Sequence, residues 1–258
     1  KSDVISISHY HYDHVRPGFT DFQYNFSSRE ELQRMFDAKL VLAKDNRENI
    51  NPSQRRRGFY FQRDVADVVD EIQWCDNHTY EFGSTRIKYS PPLPHGPSGS
   101  RLGFVVASLV EYEDSRVLFA PDVQGPVERD SLAFLLALAP HLAIIGGPPI
   151  YLDKFEKKHE ESAMFSLLAL ASQVPILVVD HHLLRSLEWS SWLSPVKSVA
   201  KEAGNKILPM AELAGMENAC LEAKRQKMYE LSPPSDAFLA WTSASDEYKK
   251  ANLPPMDD

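Results

Sequence analysis

Near the start of the chain a short apolar run, Val4, Ile5 and Ile7, leads at once into Ser8-His9-Tyr10-His11-Tyr12-Asp13-His14. The apolar run reads as a buried strand, so the ligand-rich stretch begins where that strand ends. His9 and His11 are two residues apart, and in extended backbone alternate side chains point the same way. If that geometry persists past the end of the strand, both imidazoles face one side, while Asp13 and His14 can face a second ion. Imidazole nitrogens and carboxylate oxygens suit zinc or a related transition metal. A fold for this chain must bring the end of a buried strand up to further ligands.

The 258 residues are 43% hydrophobic and 25% charged, enough for one sizeable core or at most two small ones. The expectation is a single domain over 1–258, with a polar tail from 236 to 258 held loosely apart from Phe238, Leu239 and Trp241. A net charge of -8 does not attract nucleic acid overall, although a local basic patch could. Cys75 and Cys220 are too far apart in sequence to form a metal-ligand pair, and a reduced, cytoplasmic protein is a simpler reading than one long-range disulfide. No run of about 20 apolar residues is present, so nothing is expected to span a membrane. A strand that carries a metal site is normally preceded by others, and a chain that starts at Lys1 is expected to lack an upstream segment.

Further along, Val15 to Phe26 reads as an aromatic loop with a turn at Pro17-Gly18. Ser27 or Ser28 caps a helix from Arg29, with Leu32, Met35, Phe36 and Leu40 on its apolar face, and Lys39 to Ala43 forms a short strand. Asp45 to Tyr60 is polar and carries Arg55-Arg56-Arg57, read either as a solvated loop or as a rim that contacts anions. Arg63 to Trp74 has helical spacing at Val65, Val68, Val69 and Ile72.

The period then changes. Tyr80, Phe82, Ile87 and Tyr89 bracket Gly83-Ser84 as a hairpin, followed by a stiff proline loop that exposes the His95 imidazole. A second hairpin, Phe104 to Tyr112 with Arg116 to Phe119, runs straight into Asp122. Helices are expected over Arg129 to Leu138 and Lys158 to Ser172, and buried strands over Leu142 to Ile145 and Ile176 to Val179. The first of these strands ends in Gly146-Gly147, a loop that could approach a ligand closely, and the second in Asp180-His181-His182. Leu183 to Trp192 starts a helix or turn, and Pro195 to Leu231 is mostly helical, broken near Gly204 and Gly215. This pattern indicates an α/β fold with a two-layered sheet core under helices and the site at the strand ends.

The candidate ligands are His9, His11, Asp13, His14, His95, Asp122 and His181 or His182. Seven ligands are too many for one tetrahedral ion and suit two. The expected division gives His9, His11 and His95 to the first ion and Asp13, His14 and His181 to the second, with Asp122 bridging. Two cations lower the pKa of a shared water, so that hydroxide is available near neutral pH. Asp13 then orients it or takes its proton, while His182 or Arg185 meets the developing charge or protonates the leaving group.

His9-Tyr10-His11-Tyr12-Asp13-His14 is identified as the HxHxDH motif of the metallo-beta-lactamase superfamily, with His95, Asp122 and His181 as its later members in order. More narrowly the chain resembles the archaeal UPF0282 family, through Ser8 to His14, Ile50-Asn51-Pro52-Ser53-Gln54-Arg55-Arg56-Arg57 and Asp180-His181-His182-Leu183-Leu184-Arg185. The resemblance implies an αββα sandwich, here lacking its first N-terminal strands, and two zinc ions, with iron or manganese as the other metals. Members hydrolyse beta-lactams, thioesters, phosphodiesters and RNA, and some perform redox chemistry. In the RNA-processing branch a basic residue follows the last histidine by four positions, which favours His181 with Arg185 over His182 as the final ligand. The function expected is hydrolysis of a small or short anionic substrate, a phosphodiester or another phosphate ester first. RNA is a weaker candidate partner. The alternatives are a metal-binding redox protein and a non-catalytic scaffold that binds RNA or metal.

Overall fold

The computed structural model describes residues 3–15 and 29–255. The expected Pro17-Gly18 turn, the cap at Ser27 or Ser28, nearly all of the aromatic loop and the side chain of Leu32 lie outside the described residues. The chain divides into two compact units, Lys1–Trp74 with Arg225–Asp258, and Cys75–Lys224.

The first unit contains β1 (Val4–Ile7), α1 (Arg29–Phe36), β2 (Leu40–Ala43), α2 (Pro52–Val65) and β3 (Glu71–Trp74). The strands form a parallel sheet in the order β1-β2-β3, with Ile7 opposite Ala43 and Ala43 opposite Trp74. Parallel neighbours need crossover connections, and α2 is the one between β2 and β3. Tyr10, Phe36, Val41, Phe61 and Val65 fill the core of this unit.

Two sequence expectations are corrected here. The arginine run lies on a helix and not in a loop. Asn51 caps α2 by accepting the Gln54 amide at 2.8 Å, and Pro52 occupies the first turn, where its missing N–H costs nothing. The buried face of α2 is Gln54, Gly58, Phe61 and Val65, so the arginines are left on or beside its outer face. The helix expected over Arg63 to Trp74 ends at Val65 and gives way to β3. Val65, Val68, Val69 and Ile72 do pack on one core, but they reach it from a helix end, a turn and a strand in succession.

The second unit opens with the hairpin β4 (Thr79–Phe82) and β5 (Thr85–Tyr89), turned at Gly83 with φ +61. Next come β6 (Leu93–Pro94) and β7 (Phe104–Val105), which pair with each other, and the hairpin β8 (Ser108–Tyr112) and β9 (Ser115–Ala120). Then follow α3 (Arg129–Ala137), β10 (Leu142–Gly146), α4 (Lys157–Gln173), β11 (Ile176–Asp180) and a 3-10 turn over His181–Arg185. The unit closes with α5 (Trp189–Trp192), α6 (Ser194–Glu202), β12 (Lys206–Leu208) and α7 (Met210–Leu213). Seven strands form one sheet in the order β12-β11-β10-β9-β8-β5-β4, parallel from β12 to β9 and antiparallel beyond. Leu118, Ala120, Ile145, Leu177 and Val179 of the sheet pack with Leu135, Leu167, Leu170 and Val196 of the helices. The break expected near Gly204 is present, and the short strand β12 follows it. Gly204 takes φ +76 beyond the end of α6, and the chain returns as an edge strand beside β11. After Lys224 come α8 (Arg225–Leu231), α9 (Asp236–Ser243) and α10 (Asp246–Ala251), and the buried Trp241 donates its indole N–H to the Asn252 carbonyl. Among the described residues no helix is long and apolar enough to cross a membrane, and neither Cys75 nor Cys220 is in a disulfide.

Gly58 gives a test of the seating of α2. Helix propensity alone favours Ala over Gly by about 1 kcal/mol. A Cβ at Gly58 would, however, stand 2.8 Å from the Asn46 Cβ and 2.9 Å from the Tyr10 ring. Overpacking of this kind costs roughly 1–3 kcal/mol. Gly58→Ala is therefore expected to lower stability in chemical denaturation. A rise would mean that α2 does not press on Tyr10.

Candidate metal-ligand sites

In the first unit the ligands occupy the turn that follows β1. The His14 and Val15 amides both donate to the His11 carbonyl, at 3.0 and 2.9 Å, which folds the motif back on itself. The His9 ring then touches two others, with centroids 4.8 Å from His11 and 4.4 Å from His14. Tyr10 lies between the two ligand histidines in sequence and points the other way, into the core. Its ring packs on Phe61 and its hydroxyl donates to the Lys44 carbonyl at 2.6 Å. The period-2 alternation expected for His9 and His11 thus persists past the strand. Ser8 Oγ lies 3.1 Å from His9 Nδ1, and the His9 ring is fully buried. Asp13 stands exposed on the turn.

Helix α2 holds this motif from one side. Gln54 is fully buried; it accepts the Tyr10 amide on Oε1 at 3.3 Å, and its Nε2 lies 3.2 Å from His11 Nε2. The Arg57 guanidinium sits 4.0 Å over the Tyr12 ring. Sequence reasoning missed this positioning role for both residues. The signal for Gln54 is the Asn51-Pro52 helix start, which fixes where its side chain emerges. A cavity of about 400 Å³ within this unit is lined by Asp13 and His14 together with Ile7, Phe36, Phe61 and Asp64.

In the second unit four predicted residues meet. β9, β10 and β11 are parallel and in register, with Ala120 opposite Ile145 and Ile145 opposite Val179, so their C-terminal ends lie side by side. Asp122 leaves the end of β9 and His181 the end of β11. The strand between them ends in Gly146-Gly147, where no side chain stands in the way. A Cβ at Gly146 would collide with the Asp122 amide nitrogen, and one at Gly147 would come within 2.6 Å of the Leu183 Cβ. These glycines therefore serve close packing of backbone under the ligands, which is a different role from the ligand approach expected of them.

Asp122 is 1% exposed and collects three imidazoles. His95 Nε2 lies 3.0 Å from Oδ2, while His181 Nε2 and His182 Nε2 lie 3.1 and 3.4 Å from Oδ1. The expectation of an exposed His95 is corrected: the residue is 2% exposed, because pairing of β6 with β7 and a hydrogen bond from the His95 amide N–H to the Gly103 carbonyl at 2.9 Å fold the proline loop inward. Asp122 and His181 take φ +51 and +63, the left-handed region that L residues avoid. Asp180 holds the second of these in place, accepting the His181 amide on Oδ1 at 2.7 Å and the Met210 amide on Oδ2 at 2.8 Å. Tyr151 Oη lies 3.3 Å from His182 Nδ1. Arg185 closes the 3-10 turn.

This donor set fits a transition metal. Asp122, His181 and His182 offer ligand atoms that all lie within 4.8 Å of one another, and the two Asp122 oxygens face different imidazoles, as a bridging carboxylate requires. Burial pushes the His182 imidazolium pKa down from 6.5 to about 3, the Asp122 carboxylate opposing the drop and His181, Arg185 and His95 adding to it. His182 is therefore neutral near pH 7, with a lone pair to offer and no imidazolium proton to give.

A pH dependence follows for the metal-free protein. Below about 6.5 the unfolded chain protonates His182 while the folded chain does not, so stability falls as pH drops from about 6.5 toward 3. His182→Gln should lose less stability between pH 7 and pH 4.5 in urea denaturation. Equal losses in both proteins would place the acid sensitivity elsewhere.

No protein-family model matches the chain. Among curated proteins it is 38% identical over 229 residues to a UPF0282 protein of Methanopyrus kandleri, covering 88% of this chain and 76% of that one. Among solved structures it resembles CmlA, a diiron beta-hydroxylase from Streptomyces venezuelae, with a TM-score of 0.51 and 15% identity over 81% of this chain and 44% of that one. A metal-dependent hydrolase of the beta-lactamase superfamily, Tm1679, aligns with a TM-score of 0.46 and 14% identity over 80% of this chain and 75% of that one. With 38% identity over most of both chains the protein belongs to the UPF0282 family, and it shares its α/β fold with CmlA.

Proposed function

We propose that the chain is a metal-dependent hydrolase acting on a phosphodiester or another phosphate-bearing small molecule or short anionic substrate. The ligand set is His9, His11, Asp13, His14, His95, Asp122 and His181, and it would hold two ions, zinc first, with iron or manganese as the other metals. The observation that carries this reading is the meeting of three imidazoles on the buried Asp122 carboxylate. Two such ions would supply an acidified water and polarise the bond under attack.

The remaining chemistry falls to the chain's own groups. Asp13 is exposed on its turn, where its carboxylate can take a proton from the attacking water. Arg185, at the end of the 3-10 turn, supplies a fixed positive charge for an anionic substrate. His182, with Nδ1 3.3 Å from Tyr151 Oη and Nε2 3.4 Å from Asp122 Oδ1, would meet with Arg185 the charge that develops on the substrate or its leaving group. A phosphate-bearing substrate is favoured over a lactam or thioester because Arg185 accompanies the ligands. Two cysteines that form no disulfide support cytoplasmic placement as part of the same proposal.

The test is turnover of a panel of chromogenic phosphodiester, thioester, ester and lactam substrates by the metal-loaded protein. Phosphodiester hydrolysis should have the highest kcat/KM. Asp13→Ala should lower kcat by at least about 100-fold, the range of general-base function, while elemental analysis shows metal retained. Near-native turnover in that variant would remove Asp13 from the mechanism, and a preference for thioester or lactam would overturn the substrate class.

A further inference from the structure

The outer side of α2 carries a pattern that the hydrolase reading does not use. Arg55, Arg56, Phe59, Tyr60 and Arg63 fall within an arc of about 140° of the helix, opposite the buried Gln54, Gly58, Phe61 and Val65. Phe59 is 58% and Tyr60 43% exposed, with ring centroids 5.7 Å apart. The Arg63 guanidinium lies 4.8 Å over the Tyr60 ring and pairs with Asp64 at 2.8 Å. Arg55 donates to the Arg47 carbonyl at 2.8 Å, and the Arg47 guanidinium lies 5.4 Å over Trp74. α2 holds four arginines against one acid, Asp64, in a chain whose net charge is -8. Large aromatic rings left in water on a solvent-facing helix side, interleaved with cations, are unusual for a purely solvated surface.

We propose that this side of α2 is a docking strip for single-stranded nucleic acid, with bases stacking on Phe59 and Tyr60 and phosphates meeting Arg55 and Arg56. Charge complementarity selects a polyanion, and the exposed ring faces select one whose own flat faces are free. A duplex hides its base faces within the stack, and a plain polyanion has none. The strip lies on α2 alone, and binding is read without turnover, so it stands or falls apart from the hydrolase reading.

The test is fluorescence anisotropy of a labelled single-stranded oligouridylate 12-mer with the full chain over a range of salt concentrations. Binding should weaken linearly in log-log form as salt rises. Phe59→Ala with Tyr60→Ala should weaken it by at least about tenfold at one salt concentration and leave the salt slope unchanged. Arg55→Gln with Arg56→Gln should reduce the slope by about 1.4, about 0.7 for each phosphate no longer neutralised. A duplex of the same length should bind more weakly. All four side chains lie on the exposed side of the helix, and circular dichroism checks that both variants keep their fold. The proposal is overturned by absence of oligouridylate binding, by unchanged affinity in the aromatic variant, by duplex or heparin binding as tightly as the single strand, or by binding to anionic phospholipid vesicles without binding to the oligonucleotide.

Discussion

A carboxylate with almost no access to water is costly unless hydrogen bonds or a metal replace its hydration, and the second unit is arranged around one such group. Asp122 offsets part of the cost through the His95 imidazole, hydrogen-bonded at 3.0 Å to Oδ2, while Oδ1 faces the His181 and His182 nitrogens at 3.1 and 3.4 Å, where a bound cation would supply the rest. Much of the local backbone follows from that. Asp122 and His181 accept left-handed φ values, a strain of about 1–3 kcal/mol each. β10 ends in two glycines because side chains there would collide with the Asp122 amide and with Leu183. Asp180 pins the turn that presents His181 and His182, and the short β6–β7 pairing folds the His95 loop inward. The strain and the close packing at one end of the sheet are the features expected where function, and not stability, sets the geometry.

The first unit solves a different problem. Its histidines follow a strand, and strand alternation decides which way they face. Tyr10 anchors the turn by entering the core and hydrogen-bonding the Lys44 carbonyl, so His9 and His11 are left on the other side. α2 completes the arrangement. Its buried Gln54 reaches both the Tyr10 amide and the His11 ring, and Arg57 lies over Tyr12, so one helix steadies the motif along its inner side. The same geometry leaves Arg55, Arg56, Phe59 and Tyr60 facing solvent.

Two of the strands that end in ligands, Val4 to Ile7 and Ile176 to Asp180, are legible in the sequence because they are mainly apolar runs followed at once by His and Asp residues. The HxHxDH turn is legible because it is dense and local. Other features are hidden by competing signals. α2 reads as a loop because its inner face includes Gln54 and Gly58, which carry no apolar period, while its outer face is crowded with arginines. β3 reads as helical because Val65, Val68, Val69 and Ile72 have helical spacing although a turn intervenes. β12 has only three residues and sits at the sheet edge. His95 reads as exposed because prolines usually mark surface loops, and the two-residue strands that fold this one inward are too short to leave a pattern. Close approaches of Gly146 and Gly147 to distant backbone and side chains depend on tertiary register, which no local sequence pattern encodes.

The account rests most heavily on Asp122 as the carboxylate around which metal ligands gather. Metal stoichiometry tests this directly. The purified chain, stripped with chelator, reloaded with zinc and freed of excess metal, is analysed for zinc per chain beside Asp122→Ala, with circular dichroism confirming that the variant is folded. The account predicts about two zinc ions in the wild-type chain, as a dinuclear hydrolytic site requires, and at most one in the variant. A folded Asp122→Ala protein that still holds two ions, or a wild-type chain that holds none, would contradict it.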